Sequence, residues 1–142
     1  MAFDRRHLVG LFVLGFAGAS RAVFAQNAED RPFRVDLPPG FTIKARPRGP
    51  DFQVYDIMKG DVGYVGVYFG GAAGFPMNAS AKVTTGSAPN IRVATAVGAD
   101  GVPRREYLIT NRDGWGVLHV WTQNAPGDQA TADRIAASVR FK

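Results

Sequence analysis

The stretch that decides the fold is residues 59–76, Lys59-Gly-Asp-Val-Gly-Tyr-Val-Gly-Val-Tyr-Phe-Gly-Gly-Ala-Ala-Gly-Phe-Pro76, which holds six of the seventeen glycines. Gly60 between Lys59 and Asp61 is free to take positive φ, so the chain can double back there as a hairpin. The residues that follow read as a strand. By the alternation of extended backbone, Tyr64, Gly66 and Tyr68 face one way and Val65, Val67 and Phe69 the other. The valine face is the expected core. On the tyrosine face Gly66 removes a side chain between two rings, which marks either close packing against that gap or a shallow ligand groove walled by Tyr64 and Tyr68. The segment 70–74 has almost no side-chain bulk and leaves through Phe75-Pro76.

Working upstream, 52–58 reads as the partner of this strand, with Tyr55 and Ile57 on one face and Phe52, Val54 and Asp56 on the other. If that second face is buried, Asp56 needs a partner such as an arginine. Pro47-Arg48-Gly49-Pro50-Asp51 is a loop. The runs 33–37 and 41–46 both alternate apolar and polar residues, and they are expected to pair around Pro38-Pro39-Gly40 or to continue as a bent edge.

Downstream, 77–89 is polar and reads as a loop with one short strand near 81–85. Strands follow at 91–97, 104–110 and 116–122, joined by Gly98-Ala99-Asp100-Gly101 and by the hairpin signal Asn111-Arg112-Asp113-Gly114. Connections this short require antiparallel pairing. Ala132, Ile135, Ala136 and Val139 then recur at helical spacing within 129–140, behind Asp128 as N-cap, and Phe141 is placed to tuck in as a last core contact. The expected fold class is α+β: an antiparallel sheet of six or seven strands with the C-terminal helix packed on one face.

Residues 1–25 stand apart from this pattern. Arg5-Arg6-His7 precedes an apolar run at 8–19, and Val23-Phe24-Ala25 ends it with small residues where a signal peptidase would cut. The run is shorter than the roughly 20 residues of a spanning helix. The segment therefore reads as a cleaved export signal, by the general secretory or the twin-arginine route, with no membrane span left after cleavage. A flexible mature N-terminus at 26–32 and one domain at 33–142 complete the layout, and the mature chain is expected in the periplasm or outside the cell.

Removing Arg5, Arg6, Arg21 and Asp4 lowers the net charge from +5 to +3, a dispersed excess that does not point to nucleic acid. The chain contains no cysteine, which excludes disulfides and thiol catalysis.

The chemistry-bearing patterns are sparse. The glycine stretch lacks the Gly-Lys-Ser/Thr that opens a phosphate-binding helix, and Gly114-Trp115-Gly116 lacks the third glycine of a dinucleotide loop. No cofactor is implied. His119 is the one histidine after the leader, so a histidine-rich metal site is excluded, and no Gly-x-Ser-x-Gly elbow accompanies it. The sequence thus names no catalytic residue and no metal ligand. Its low-specificity binding candidates are Tyr64, Gly66, Tyr68 and Trp115, the last because a tryptophan at a hairpin tip cannot easily reach the core.

The segment Leu37-Pro38-Pro39-Gly40-Phe41, the meander of strands and the closing Ala132-Asp133-Arg134-Ile135-Ala136-Ala137-Ser138-Val139-Arg140-Phe141 resemble the PsbP-like α/β/α sandwich domains and small exported bacterial proteins of that layout. The resemblance spans most of 33–141. It implies a fold and carries over no functional residue, and the first helix such domains often have is not evident.

The functional expectation is an exported, non-enzymatic accessory module that binds an envelope protein or a cell-wall component. Two alternatives stand beside it. One is a small hydrolase or isomerase using His119 with Asp56 or Glu106, which requires His119 in an open pocket within hydrogen-bond reach of its partner. The other is a ligand carrier with its groove at Tyr64, Gly66 and Tyr68.

Overall fold

Strands with apolar residues at every second position need a sheet to bury one face, and the computed structural model, which describes residues 30–142, builds one of seven strands in the order β2-β3-β4-β8-β7-β6-β5. The strands are β2 (Phe41–Ala45), β3 (Phe52–Lys59), β4 (Val62–Gly70), β5 (Lys82–Thr85), β6 (Ile91–Val97), β7 (Pro103–Thr110) and β8 (Val117–Thr122). Every neighbouring pair is antiparallel. The fold class is the expected α+β. The export signal read in residues 1–25, and most of the N-terminal segment 26–32, lie outside the described residues.

The glycine-rich strand β4 sits inside the sheet, between β3 and β8. Its valine face is the core. Val65 and Val67 are fully buried with Ile57 of β3 and Leu118 and Val120 of β8. Against them lies the helix α1 (Gln129–Ser138), through Ala132, Ile135 and Ala136. Burying a Val, Leu or Ile stabilises by about 1.5–3 kcal/mol each. The two buried alanines let the helix approach the sheet closely.

The ends of the chain differ from expectation. Residues 33–37 do not pair with 41–46. Only Phe33–Arg34 forms a strand, β1, and its partner is β9 (Arg140–Phe141), with Phe33 opposite Phe141. The prolines explain this: Pro38 and Pro39 lack N–H donors and send the chain away from β2, whose edge pairs β3 instead. The helix accordingly stops at Ser138, two positions short of Arg140, because Val139 turns extended (φ −67°, ψ 131°) to feed β9. Phe141 is partly buried against the core, as its position suggests.

Candidate functional site

The face of the sheet away from the helix carries the polar side chains. Cross-strand partners line up as Lys44, Asp56, Gly66, Trp121, Glu106 and Ala94, one row running from β2 to β6. Two residues along each strand, Val54, Tyr68, His119, Leu108 and Arg92 form a second row on the same face.

The loop between β4 and β5 crosses this face. Its Phe75 ring meets the His119 imidazole edge to face at 5.9 Å, and the Arg92 guanidinium sits 5.5 Å from the same ring centre. Two residues on, the Met77 amide donates to Glu106 Oε2 at 3.0 Å. His119 Nε2 lies 2.9 Å from that same oxygen. In the tautomer that carries its proton on Nε2, the imidazole donates to this oxygen alongside the amide. Both side chains are buried, His119 to 5% and Glu106 to 9% exposure. A buried carboxylate is tolerated in this way because its charge is met by hydrogen bonds.

Asp56 has the arginine partner its strand position calls for. Arg46 donates to it through Nε at 2.7 Å and Nη2 at 2.8 Å, and Gln123 Nε2 adds a third bond at 3.0 Å. The Arg46 hydrogen bonds above all hold the Asp56 carboxyl below the usual carboxylate range; burial pulls the other way, and Gln123 adds to the lowering. Asp56 is remote from His119 in the rows of the sheet, so the imidazole's carboxylate is Glu106.

The four sequence-predicted binding residues do not gather. Opposite Ile57 and Met58 the register slips, and Tyr64 is the extra residue of a bulge. The slip rotates it out of line with Gly66 and Tyr68 and into the core. There it meets the Phe41 ring at 4.8 Å, and its hydroxyl donates to Asp128 Oδ2 at 3.0 Å. Asp128 thus binds the tyrosine, with no side-chain cap to the helix.

Tyr68 lies on the opposite face, stacked on Phe52 at 5.8 Å, with its hydroxyl donating to the Ala72 carbonyl at 2.7 Å. A ring-walled groove centred on Gly66 is therefore not formed. The gap at Gly66 is filled by its own cross-strand partner: a Cβ there would lie 2.2 Å from the Trp121 ring. Trp115 is 61% exposed at the β7–β8 tip and touches the Phe69 ring edge to face at 5.4 Å.

One concave feature of this face lies beside Glu106; a wider one is lined by Lys44, Arg46, Asp56 and Gln123. The first, a pocket of about 150 Å³, is lined by Met77 and Asn78 of the crossing loop, Ala96 to Gly98 of β6 and its exit, Arg104 to Glu106 of β7, and Trp121 and Thr122 of β8. At its edge Arg104 holds both oxygens of Asp100, at 2.9 and 2.7 Å. Sequence reasoning missed this pocket, yet a signal existed. Counting back from the Asn111–Gly114 turn pairs Thr110 with Val117, Leu108 with His119 and Glu106 with Trp121. That register puts the one acid in the middle of β7 beside the indole and diagonal to the histidine.

Among the described residues no three His, Cys, Asp or Glu side chains gather as metal ligands, and no helix is long and apolar enough to cross a membrane. No family model matches the chain, and no curated protein matches it.

Proposed function

We propose that the chain is an exported binding module, working without turnover in the periplasm or outside the cell, and docking on an envelope protein or a cell-wall component. The observation that carries this reading is the use made of His119 and Glu106. Each is buried, each bonds the other, and the loop of Phe75 and Met77 is fastened across them. A general base must reach its substrate's proton directly or through one water. Here Phe75 packs against the imidazole, and the pair serves to hold a loop against the sheet. Kinship with the PsbP-like domains is part of the proposal at the level of fold alone.

The test is capture from an envelope extract with the mature chain as bait, run beside turnover assays on a panel of small esters, amides and sugar phosphates. Recovery of a specific partner with no turnover supports the reading. Robust turnover with no recovered partner overturns it.

One observation favours a second reading, a small hydrolase or isomerase: the 2.9 Å contact of His119 with Glu106 is the geometry of an oriented general base. That reading requires the 71–81 loop to lift, and it requires His119→Ala to abolish any turnover found.

A further inference from the structure

We infer that the pocket beside Glu106 is a binding site for a small organic ammonium group, carried on a free alkylamine or at the end of a lysine side chain. The inference deepens the binding-module reading and rests on it. Its first support is the carboxylate. Both hydrogen bonds to Glu106, from Met77 N–H and from His119 Nε2, fall on Oε2. Oε1 has no partner among the described residues. Oε1 is not among the fully buried unpartnered atoms, so it is open to a donor entering the pocket, and a carboxylate bonds a charged donor more strongly than a neutral one.

The second support is the wall. Trp121 stands across from Glu106 in register and lines the same pocket, and an indole face attracts ammonium more strongly than any other side-chain ring. The Trp121 ring lies over Gly66, and His119 on the same strand stands 5.4 Å from it.

The third is charge complementarity. Arg104, the cation at the rim, is already bound through two nitrogens to Asp100, and its Nη2 also reaches Asn124 Oδ1 at 3.3 Å. Arg105 contributes backbone here; strand alternation places its side chain on the helix face with Tyr107. With Arg104 bound to Asp100, Glu106 is the acidic side chain of the lining, and no arginine among the described residues meets it. Ala96 and Met77 add apolar lining suited to a short alkyl chain, beside Asn78 and Thr122. A void of this size accepts a guest of roughly benzene volume.

The experiment uses the mature chain carrying Trp115→Phe, so that the Trp121 indole N–H is the one indole signal in a proton–nitrogen spectrum. Butylamine, Nα-acetyl-lysine amide, butanol and butyrate are titrated in turn to tens of millimolar. The expected result is saturable movement of the Trp121 indole and of the 96–98 and 104–106 amides with the two cations, at least about tenfold tighter than with butanol or butyrate. Binding of both cations assigns the site to a lysine-type side chain as well as to free amines; binding of butylamine alone restricts it to free amines.

Glu106→Gln should weaken binding about tenfold or more. Ala96→Leu, which fills the pocket from its rim without touching the dyad, should abolish it. Butyrate binding as tightly as butylamine, the absence of saturation with either cation, or amine binding that survives Ala96→Leu would each overturn the inference. Partner capture that succeeds while amine binding fails overturns the ligand class and leaves the binding reading standing. Turnover that depends on His119 overturns the reading itself.

Discussion

The two faces of the sheet are filled by different means. On the helix face the space between strands is taken up by apolar side chains meeting a stripe of small residues, so Val65, Val67, Leu118 and Val120 reach complete burial. On the loop face it is taken up by pairs with fixed geometry: Trp121 over Gly66, Glu106 with His119 and the Met77 amide, and Asp56 with Arg46 and Gln123. Burial on the first face is non-directional and tolerates exchange of similar volumes. On the second, each contact specifies a partner, and removal of one member leaves a polar group or a gap behind. The first face holds the sheet together, and the second holds shapes and charges in register on it.

Substitutions that strike each face in turn sharpen this contrast. The largest loss is expected on the helix face, where Leu118→Ala should cost about 3 kcal/mol in denaturant unfolding, with Ile135→Ala close behind. A loss under about 1 kcal/mol would show that the helix is not what covers the sheet.

Next comes Gly66→Ala, expected to cost about 2 kcal/mol by overpacking because its Cβ must displace the Trp121 ring, with the indole resonance moving strongly. A silent Gly66→Ala would break the pairing and reopen the question of a groove at that glycine.

Glu106→Gln should cost roughly 1–2 kcal/mol and accelerate hydrogen exchange at the Met77 amide ahead of the core amides, since the crossing loop loses its anchor first. Uniform acceleration across the sheet would place Glu106 among the core contacts.

Asp56→Asn should be smaller, about 1 kcal/mol or less, because Arg46 is half exposed. The carboxyl of Asp56 is depressed in the folded chain by Arg46. The stability it contributes is therefore complete above the unfolded aspartate value near about 4 and is lost as pH falls through the lower folded value. The gap between the parent chain and Asp56→Asn should close on acidification below about pH 4. The smallest effect belongs to Trp115→Ala at the exposed tip, within about 0.5 kcal/mol.

What was legible in the sequence follows from the same contrast. Period-two alternation in 52–58 and 62–70, the turns at Gly60 and at 111–114, and the stripe from Ala132 to Val139 report burial on one face, and each gave its element correctly. Directional contacts leave a weaker trace. Asp56 announced a partner because an acid in mid-strand must be met. Tyr64 misled because a bulge shifts alternation by one, and nothing local to residues 62–65 marks the slip. The stop at Ser138 was hidden because continuing the helix to Arg140 competes with a long-range pairing to Phe33. Trp121 over Gly66 could have been read only after the β4–β8 register was known, and those strands are about fifty residues apart in the chain.

The pairing of Phe33 with Phe141 has a consequence for the order in which the molecule can be finished. Phe33 is fully buried once folded and edges against Tyr55 at 5.2 Å. Its strand partner, Phe141, follows the helix. The Phe33 ring can rest on Tyr55 before β9 is in place, so the seven-stranded sheet can assemble while its latch stays open. Closing the latch then joins residues 33 and 141, the strand pairing with the longest sequence separation among the described residues, so it carries the largest loop-closure cost of the fold.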